Sequence, residues 1–168
     1  MIVLETERLV IRRFTEGDAE FILGLLNQPS FLRYIGDKGV RNTDDAVRYL
    51  QTGPIASYER VGYGPYLVKL KDTEVPIGMC GLLKRDTLPD ADVGFAFLPD
   101  YWSRGYAFEA VAAVMTYGRE VLGLQRIVAI TSPDNNASIR LLEKLGLKFE
   151  GLITLPEQGE VRLFATDS

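Results

Sequence analysis

At 168 residues, with 46% apolar and 25% charged positions, the chain has the length and composition of one globular domain spanning 1–168. Its 19 basic and 23 acidic residues leave a net charge of −4, which argues against a nucleic-acid partner that needs a basic face. The absence of histidine excludes a Ser-His-Asp triad, a Cys-His pair and a His-ligated zinc, and no metal site is expected. The one cysteine, Cys80, allows no intramolecular disulfide and fits a reducing compartment. Glu5 and Glu7 stand where a signal peptide would need an apolar core, and no apolar run nears the ~18 residues of a membrane span. The expected setting is the cytoplasm, with no membrane partner.

Residues 9–14 read as a first strand. Thr15 and Asp18 then have the spacing of a capping box, with Asp in place of the usual Glu, opening a helix whose inner face carries Ile22, Leu25 and Leu26. A second helix starts at Asn42 or Thr43, has Asp44 and Asp45 in its first turn, and is expected to stop at Gly53-Pro54. Three strand-like runs follow at 66–69, 76–83 and 92–97, separated by short polar segments that suggest an antiparallel meander. From 105 to 122 the pattern is helical and apolar, its polar residues Glu109, Thr116 and Glu120 falling on one stripe, as for a helix wedged against a sheet. Residues 126–131 form a near-continuous apolar run, the mark of a central strand. A helix over 136–145 stops at Gly146, and closing strands at 148–155 and 160–165 flank the turn between them. The order implies an α/β fold with a mixed sheet and one parallel pairing.

Two segments carry candidate chemistry. In the first, a strand ends at Pro99 and Gly105 opens a long helix. Helix N-termini present unpaired N–H groups and a partial positive charge, so they attract phosphate. Gly105 permits close backbone approach, Ala107 leaves room across the first turn, and Arg104 adds a charge. No GxxxxGK[ST] and no GxGxxG occurs, so this is neither a P-loop nor a Rossmann fingerprint. An ordinary loop whose glycine starts a helix is the alternative. In the second, Ser138, Leu141, Leu142 and Leu145 share the inward face of a helix capped by Asn135 or Asn136. Here the alternative is local, with Asn as a cap and Ser as a hydroxyl bonded within its own helix.

Together with the opening Leu4-Glu-Thr-Glu-Arg-Leu9, the segments Tyr101-Trp-Ser-Arg-Gly-Tyr-Ala-Phe-Glu-Ala110 and Asn135-Asn-Ala-Ser-Ile-Arg-Leu-Leu-Glu-Lys-Leu-Gly146 resemble the GNAT superfamily, the Gcn5-related N-acetyltransferases. The resemblance covers nearly the whole chain and is strongest to the branch that acetylates ribosomal-protein N-termini. It implies a twisted, mixed but mostly antiparallel sheet of about six to seven strands flanked by about four helices. It implies acetyl-CoA as cofactor and a primary amine, of a protein N-terminus or a small molecule, as acceptor. The family motif Q/R-x-x-G-x-G/A falls on Trp102 to Ala107, with Gly105 and Ala107 matching and Trp102 in the first position. The N–H groups of Ser103, Arg104, Gly105, Tyr106 and Ala107 would then hold the pyrophosphate of coenzyme A. The strand end at Phe97 and Leu98 would pair with the pantetheine arm, and Asn135 would bond that arm from the other side.

Many members carry a Tyr in the last helix that protonates the departing thiolate, and here that position is Leu142. Ser138 is the local substitute, a role proposed for Ser at this position in the ribosomal-protein branch. An attacking amine must be neutral, while alkyl amines such as Lys have pKa values near 10.4, so a carboxylate must take a proton. The candidates in order are Glu157 in the closing hairpin, which matches a Glu given that role in the branch, then Asp92, then Glu109. A backbone N–H at the end of the Phe97 strand would serve the oxyanion. Tyr34, Tyr58, Tyr63 and Tyr66 lie where the family builds part of its acceptor pocket, although at least two are expected in the core. Arg12 and Arg13 carry no functional reading, and Cys80 in its apolar strand reads as an inert thiol. The rival from another class is a CoA-binding sensor without transfer. Acceptor identity, and monomer against homodimer, stay open.

Overall fold

The computed structural model describes residues 1–156 and 158–166. Eight strands form one sheet, β1 (Ile2–Glu5), β2 (Leu9–Arg13), β3 (Pro65–Leu70), β4 (Pro76–Leu83), β5 (Ala91–Phe97), β6 (Ile127–Thr131), β7 (Lys148–Leu155) and β8 (Gly159–Ala165), in the order β1-β2-β3-β4-β5-β6-β8-β7. The described α-helices are α1 (Ala19–Leu26), α2 (Pro29–Tyr34), α3 (Thr43–Leu50), α4 (Ala56–Val61), α5 (Tyr106–Glu120) and α6 (Asn136–Lys144). The meander and the α/β class are as expected, and β5–β6 is the single parallel pairing. The additions are short elements. β1 has four residues at the sheet edge and no alternating pattern to announce it, and α2 has six residues beginning at Pro29.

The capping box is present: Asp18 accepts from the Thr15 N–H at 2.9 Å, and the same carboxylate takes two bonds from Arg12 at 2.8 and 2.9 Å. The second helix does not stop at Gly53-Pro54. The chain passes through a π-helical turn at Gln51–Ile55 that contains Pro54, and continues as α4 until Gly62, at φ +84°. The wider turn absorbs the N–H that proline lacks, which an α-helical turn could not do without kinking.

Alternation along the strands sends β3, β4 and β5 side chains to two faces. Cys80, Leu82, Val93 and Phe97 belong with Val111, Val114 and Met115 of α5. Leu67, Met79 and Ala96 turn to Ile22, Leu26, Phe31 and Leu50 of α1–α3. β5 and β6 pair only at Ala91↔Ile127 and Asp92↔Val128. Beyond that point they diverge, and the sheet opens between them. This opening places the site.

Candidate active site

A cavity of about 620 Å³ lies at the opening and takes lining residues from both faces of the sheet. On the α5–α6 side it is walled by Trp102, Ser103 and Gly105 to Phe108, by Ile130 to Ser132, and by Asn135 to Ser138. On the other side it reaches α1, α2 and α3.

The loop into α5 has an unusual backbone. Gly105, the N-cap, sits at φ +83°, and Ser103 two residues earlier at φ +62°. Left-handed residues alternating with ordinary ones are a backbone pattern that can turn N–H groups to one side, as in anion-binding concavities, and here the pattern leads into the N-terminus of a 15-residue helix. Gly105 is favoured by its backbone angle. A β-carbon there would be strained by the positive φ and would stand 3.2 Å from the Arg8 guanidinium.

Arg8 holds this loop from behind. It donates to the Arg104 carbonyl at 3.0 Å and to Glu109 at 2.7 Å, and its guanidinium lies 4.3 Å from the centre of the Tyr106 ring. The Arg8 N–H and the Thr6 hydroxyl bond the second Glu109 oxygen. Burial raises the Glu109 pKa, but these donors outweigh it and hold the carboxyl below its ordinary value. A carboxylate so engaged is a structural tie. The Thr6-Glu-Arg8 part of the opening motif therefore has a physical reason that sequence reading missed: it fastens the N-terminal strand pair to the first turn of α5.

The strand end departs from expectation. Leu98 donates to Ile77 at 2.9 Å and its carbonyl accepts from Tyr101, so both backbone groups are committed within the protein. By the alternation of an antiparallel ladder, Val93, Phe95 and Phe97 turn their backbone groups to the open edge of β5. The Phe97 carbonyl is taken by the Trp102 indole N–H at 2.8 Å. Phe95 and the Phe97 N–H thus replace Leu98 as the open pairing edge. Trp102 is 48% exposed and acts as a brace over that edge. Arg104 turns its guanidinium over Tyr101, 5.8 Å from the ring, and is outside the cavity lining.

Across the opening, Asn135 caps α6, its side-chain oxygen accepting from the Ser138 N–H at 3.3 Å. That leaves its amide NH₂ as a donor. Ser138 is half-buried in the first turn and lines the cavity, while Leu142 is fully buried in the core. Thr131 lies at the end of β6, is 6% exposed, and its hydroxyl has no hydrogen-bond partner among the described residues. A buried hydroxyl left unsatisfied costs about 1–3 kcal/mol, and Thr131 is among the residues that line the cavity.

Asp92 is 1% exposed, lines the cavity at the point where β5 and β6 part, and is bonded to Arg85 at 3.1 Å. Glu157 lies outside the described residues. Of the four tyrosines, Tyr34 lines the cavity. Tyr58 and Tyr66 stack in the core with ring centres 5.6 Å apart, burial raising the phenol of Tyr66 to about 12, and Tyr63 is buried beside them. Tyr49 of α3 lines the cavity in their stead, its phenol pKa raised by burial against a smaller opposing effect of Arg85. Neither Tyr49 nor Arg85 stands in a local motif. Cys80 is fully buried and burial pushes its thiol far up, which makes it unreactive.

The fold coincides with that of an acetyltransferase family. The family model of the Acetyltransferase (GNAT) domain matches residues 8–148, and the chain belongs to this family of acetyltransferases, which move an acetyl group to an amine. The N-acetyltransferase YoaA of Bacillus subtilis is 34% identical over 152 residues, 90% of this chain and 85% of YoaA. A GNAT-family acetyltransferase from Bacillus anthracis superposes with a TM-score of 0.80 at 27% identity, covering 98% of this chain and 97% of that one. The ribosomal L7/L12 N-terminal acetyltransferase RimL, solved with coenzyme A, shares the fold at 19% identity, with a TM-score of 0.83 over 98% of this chain and 97% of its own. None of these relatives is named as a binding module without transfer. Among the described residues, no helix is long and apolar enough to cross a membrane, and no group of three or more metal-binding side chains occurs.

Proposed function

We propose that the chain is an acetyl-CoA-dependent N-acetyltransferase whose acetyl donor lies in the opening between β5 and β6. The observation that carries this reading is the convergence on one cavity of an anion concavity at 103–107, an open strand edge at Phe95–Phe97 and an orphaned buried hydroxyl at Thr131. Backbone N–H groups of Ser103, Gly105, Tyr106 and Ala107 hold the pyrophosphate, with Arg104 contributing charge from outside the lining. The open edge of β5 and the Asn135 amide hold the pantetheine arm, and the Thr131 hydroxyl bonds it from β6. When bound, acetyl-CoA supplies the activated acetyl thioester that the amine attacks directly in a ternary complex.

The protein's part is proton transfer and charge placement. Ser138, on the first turn of α6, donates the proton that the departing thiolate needs, in place of the tyrosine absent at Leu142. Glu157 accepts the proton of the incoming ammonium. Asp92 is second choice, because its carboxylate is already engaged by Arg85 at 3.1 Å. The Phe97 N–H, turned to the opening, serves the developing oxyanion. A cytoplasmic setting belongs to this reading and suits the buried thiol of Cys80.

The test is thiol release from acetyl-CoA across a panel of amines and N-terminal peptides. Turnover with at least one acceptor is expected, with kcat lowered about 100-fold in Ser138→Ala and in Glu157→Gln. Coenzyme A binding without turnover on any acceptor would overturn it in favour of a sensor.

A further inference from the structure

We infer that Arg8 is a positioning residue for the acetyl donor: by fixing the Arg104–Gly105 peptide it turns the Gly105 N–H toward the donor's diphosphate. This deepens the reading of the site given above and rests on coenzyme A binding at 103–107.

The peptide plane carries the effect. A trans peptide is planar, and its C=O and N–H point in opposite directions across the C–N bond. The Arg104 carbonyl accepts from Arg8 Nη1 at 3.0 Å, so it points at Arg8. The N–H of the same peptide belongs to Gly105 and points away from Arg8. Gly105 lines the cavity and Arg8 does not, so that direction is the cavity side. The helix does not fix this plane, because the first bond of α5 runs from the Glu109 N–H to the Gly105 carbonyl, at 3.0 Å. Glycine fixes it least of all, since it accepts φ of either sign and lets the peptide before it flip at little cost. No side chain caps α5 at Gly105, so its first N–H groups are left for a ligand. Arg8 therefore locks the one plane in the loop that the residue at 105 leaves free to turn.

Arg8 is itself held from several directions. Its Nε donates to Glu109 at 2.7 Å, its backbone N–H meets the second Glu109 oxygen at 3.0 Å, and its guanidinium lies 4.3 Å from the centre of the Tyr106 ring. Nη2 stands 3.2 Å from where a β-carbon on Gly105 would be, so the fork is laid against the loop itself. The Glu109 carboxylate offsets the Arg8 charge, and what Arg8 gives the loop is direction more than field. A guanidinium is a rigid planar fork that serves two acceptors at a fixed angle while stacking on a ring. An ammonium on a flexible stem cannot do all three together.

Calorimetric titration of the full chain with coenzyme A tests this. Binding by the wild type is expected, and in Arg8→Met the dissociation constant should rise about tenfold or more, the worth of one hydrogen bond to a charged group. Arg8→Lys keeps the charge without the fork and should lose as much. Pantetheine, which lacks the diphosphate, is titrated by NMR, and its affinity should be the same in all three proteins. A parallel loss of pantetheine would mean a loosened site rather than a misdirected peptide. A lysine variant that binds coenzyme A like the wild type would mean that charge suffices. Either result overturns the inference. Coenzyme A binding of unaltered strength in both variants overturns it too, and leaves the donor site standing. No binding by the wild type overturns the donor site and the inference with it. Should neither variant fold, the wild-type chain decides: its Gly105 amide proton should move downfield with coenzyme A and stay in place with pantetheine. A Gly105 resonance that coenzyme A leaves unmoved overturns the inference.

Discussion

The two ends of the cavity are built in different ways. The α5–α6 end is made chiefly of backbone: the turned N–H groups of 103–107, the open edge of β5 and a capped helix start. The α1–α3 end is made of side chains brought from α1, α2, α3, β4 and the segment after it. A backbone-built end tolerates many sequences provided that glycine and small residues stay where the chain is turned or crowded. A side-chain-built end changes its preference with single substitutions. One scaffold can therefore keep one donor while the acceptor varies.

The sharpest break of that contrast is at Gly105. Gly105→Val places a β-branched residue at φ +83°, where only glycine is at ease, and drives a methyl toward Arg8. Coenzyme A affinity should fall about 100-fold, equivalent to ~2.7 kcal/mol, as read by calorimetry. The helix itself should survive, so a complete loss of fold would show that the loop matters to stability more than to binding.

At the other end, Asp92→Asn removes the charged acceptor that Arg85 meets at 3.1 Å. Breaking a buried pair from one side destabilises by on the order of 3 kcal/mol, measurable by urea denaturation. A stable Asp92→Asn protein that has lost only activity would instead promote Asp92 to the proton acceptor.

Glu109 sharpens the distinction between a tie and a catalyst. Its pKa is lowered in the folded state, so the stability it contributes is fully present above the unfolded value and is lost as pH falls through the folded one. Glu109→Gln should lower stability at pH 7 by ~1–3 kcal/mol, the range for hydrogen bonds to charged groups. It should also flatten the fall in stability between neutral pH and the acid range below the ordinary carboxylate pKa. A normal stability curve with abolished turnover would contradict the structural role.

The smallest effect is the most diagnostic. Thr131→Val removes a hydroxyl that has no partner among the described residues, so the free protein should be as stable as wild type or slightly more so. The KM for acetyl-CoA should rise about threefold to tenfold, the worth of one ordinary hydrogen bond. An unchanged KM with increased stability would mean that the hydroxyl meets no ligand at all.

How much of this was legible in the chain follows the same division. The donor end could be read because its signals are local: Gly105 before a long apolar helix, and Asn135 three residues ahead of Ser138 on an inward face. Helical and strand periodicity likewise marked seven of the eight strands and the four longest helical stretches, since each period repeats over enough residues to be seen. Short elements such as β1 and α2 carry too few repeats, and the turn through Pro54 looked like a stop because its π geometry depends on what packs around it. The commitment of Leu98 to Ile77, the brace from Trp102 to Phe97 and the engagement of Glu109 by Thr6 and Arg8 are pairings over distances that no local pattern encodes. The same holds for Tyr49, Arg85 and Asp92, which become neighbours only when α3 is laid over β4 and β5. Sequence by itself determined the family, the layered α/β class and the segments proposed to hold the donor, because those depend on backbone geometry set by neighbouring residues. Tertiary structure alone decided which carboxylates meet arginines and which side chains wall the α1–α3 end of the cavity, because charge pairing and burial belong to residues that the chain keeps far apart until it folds.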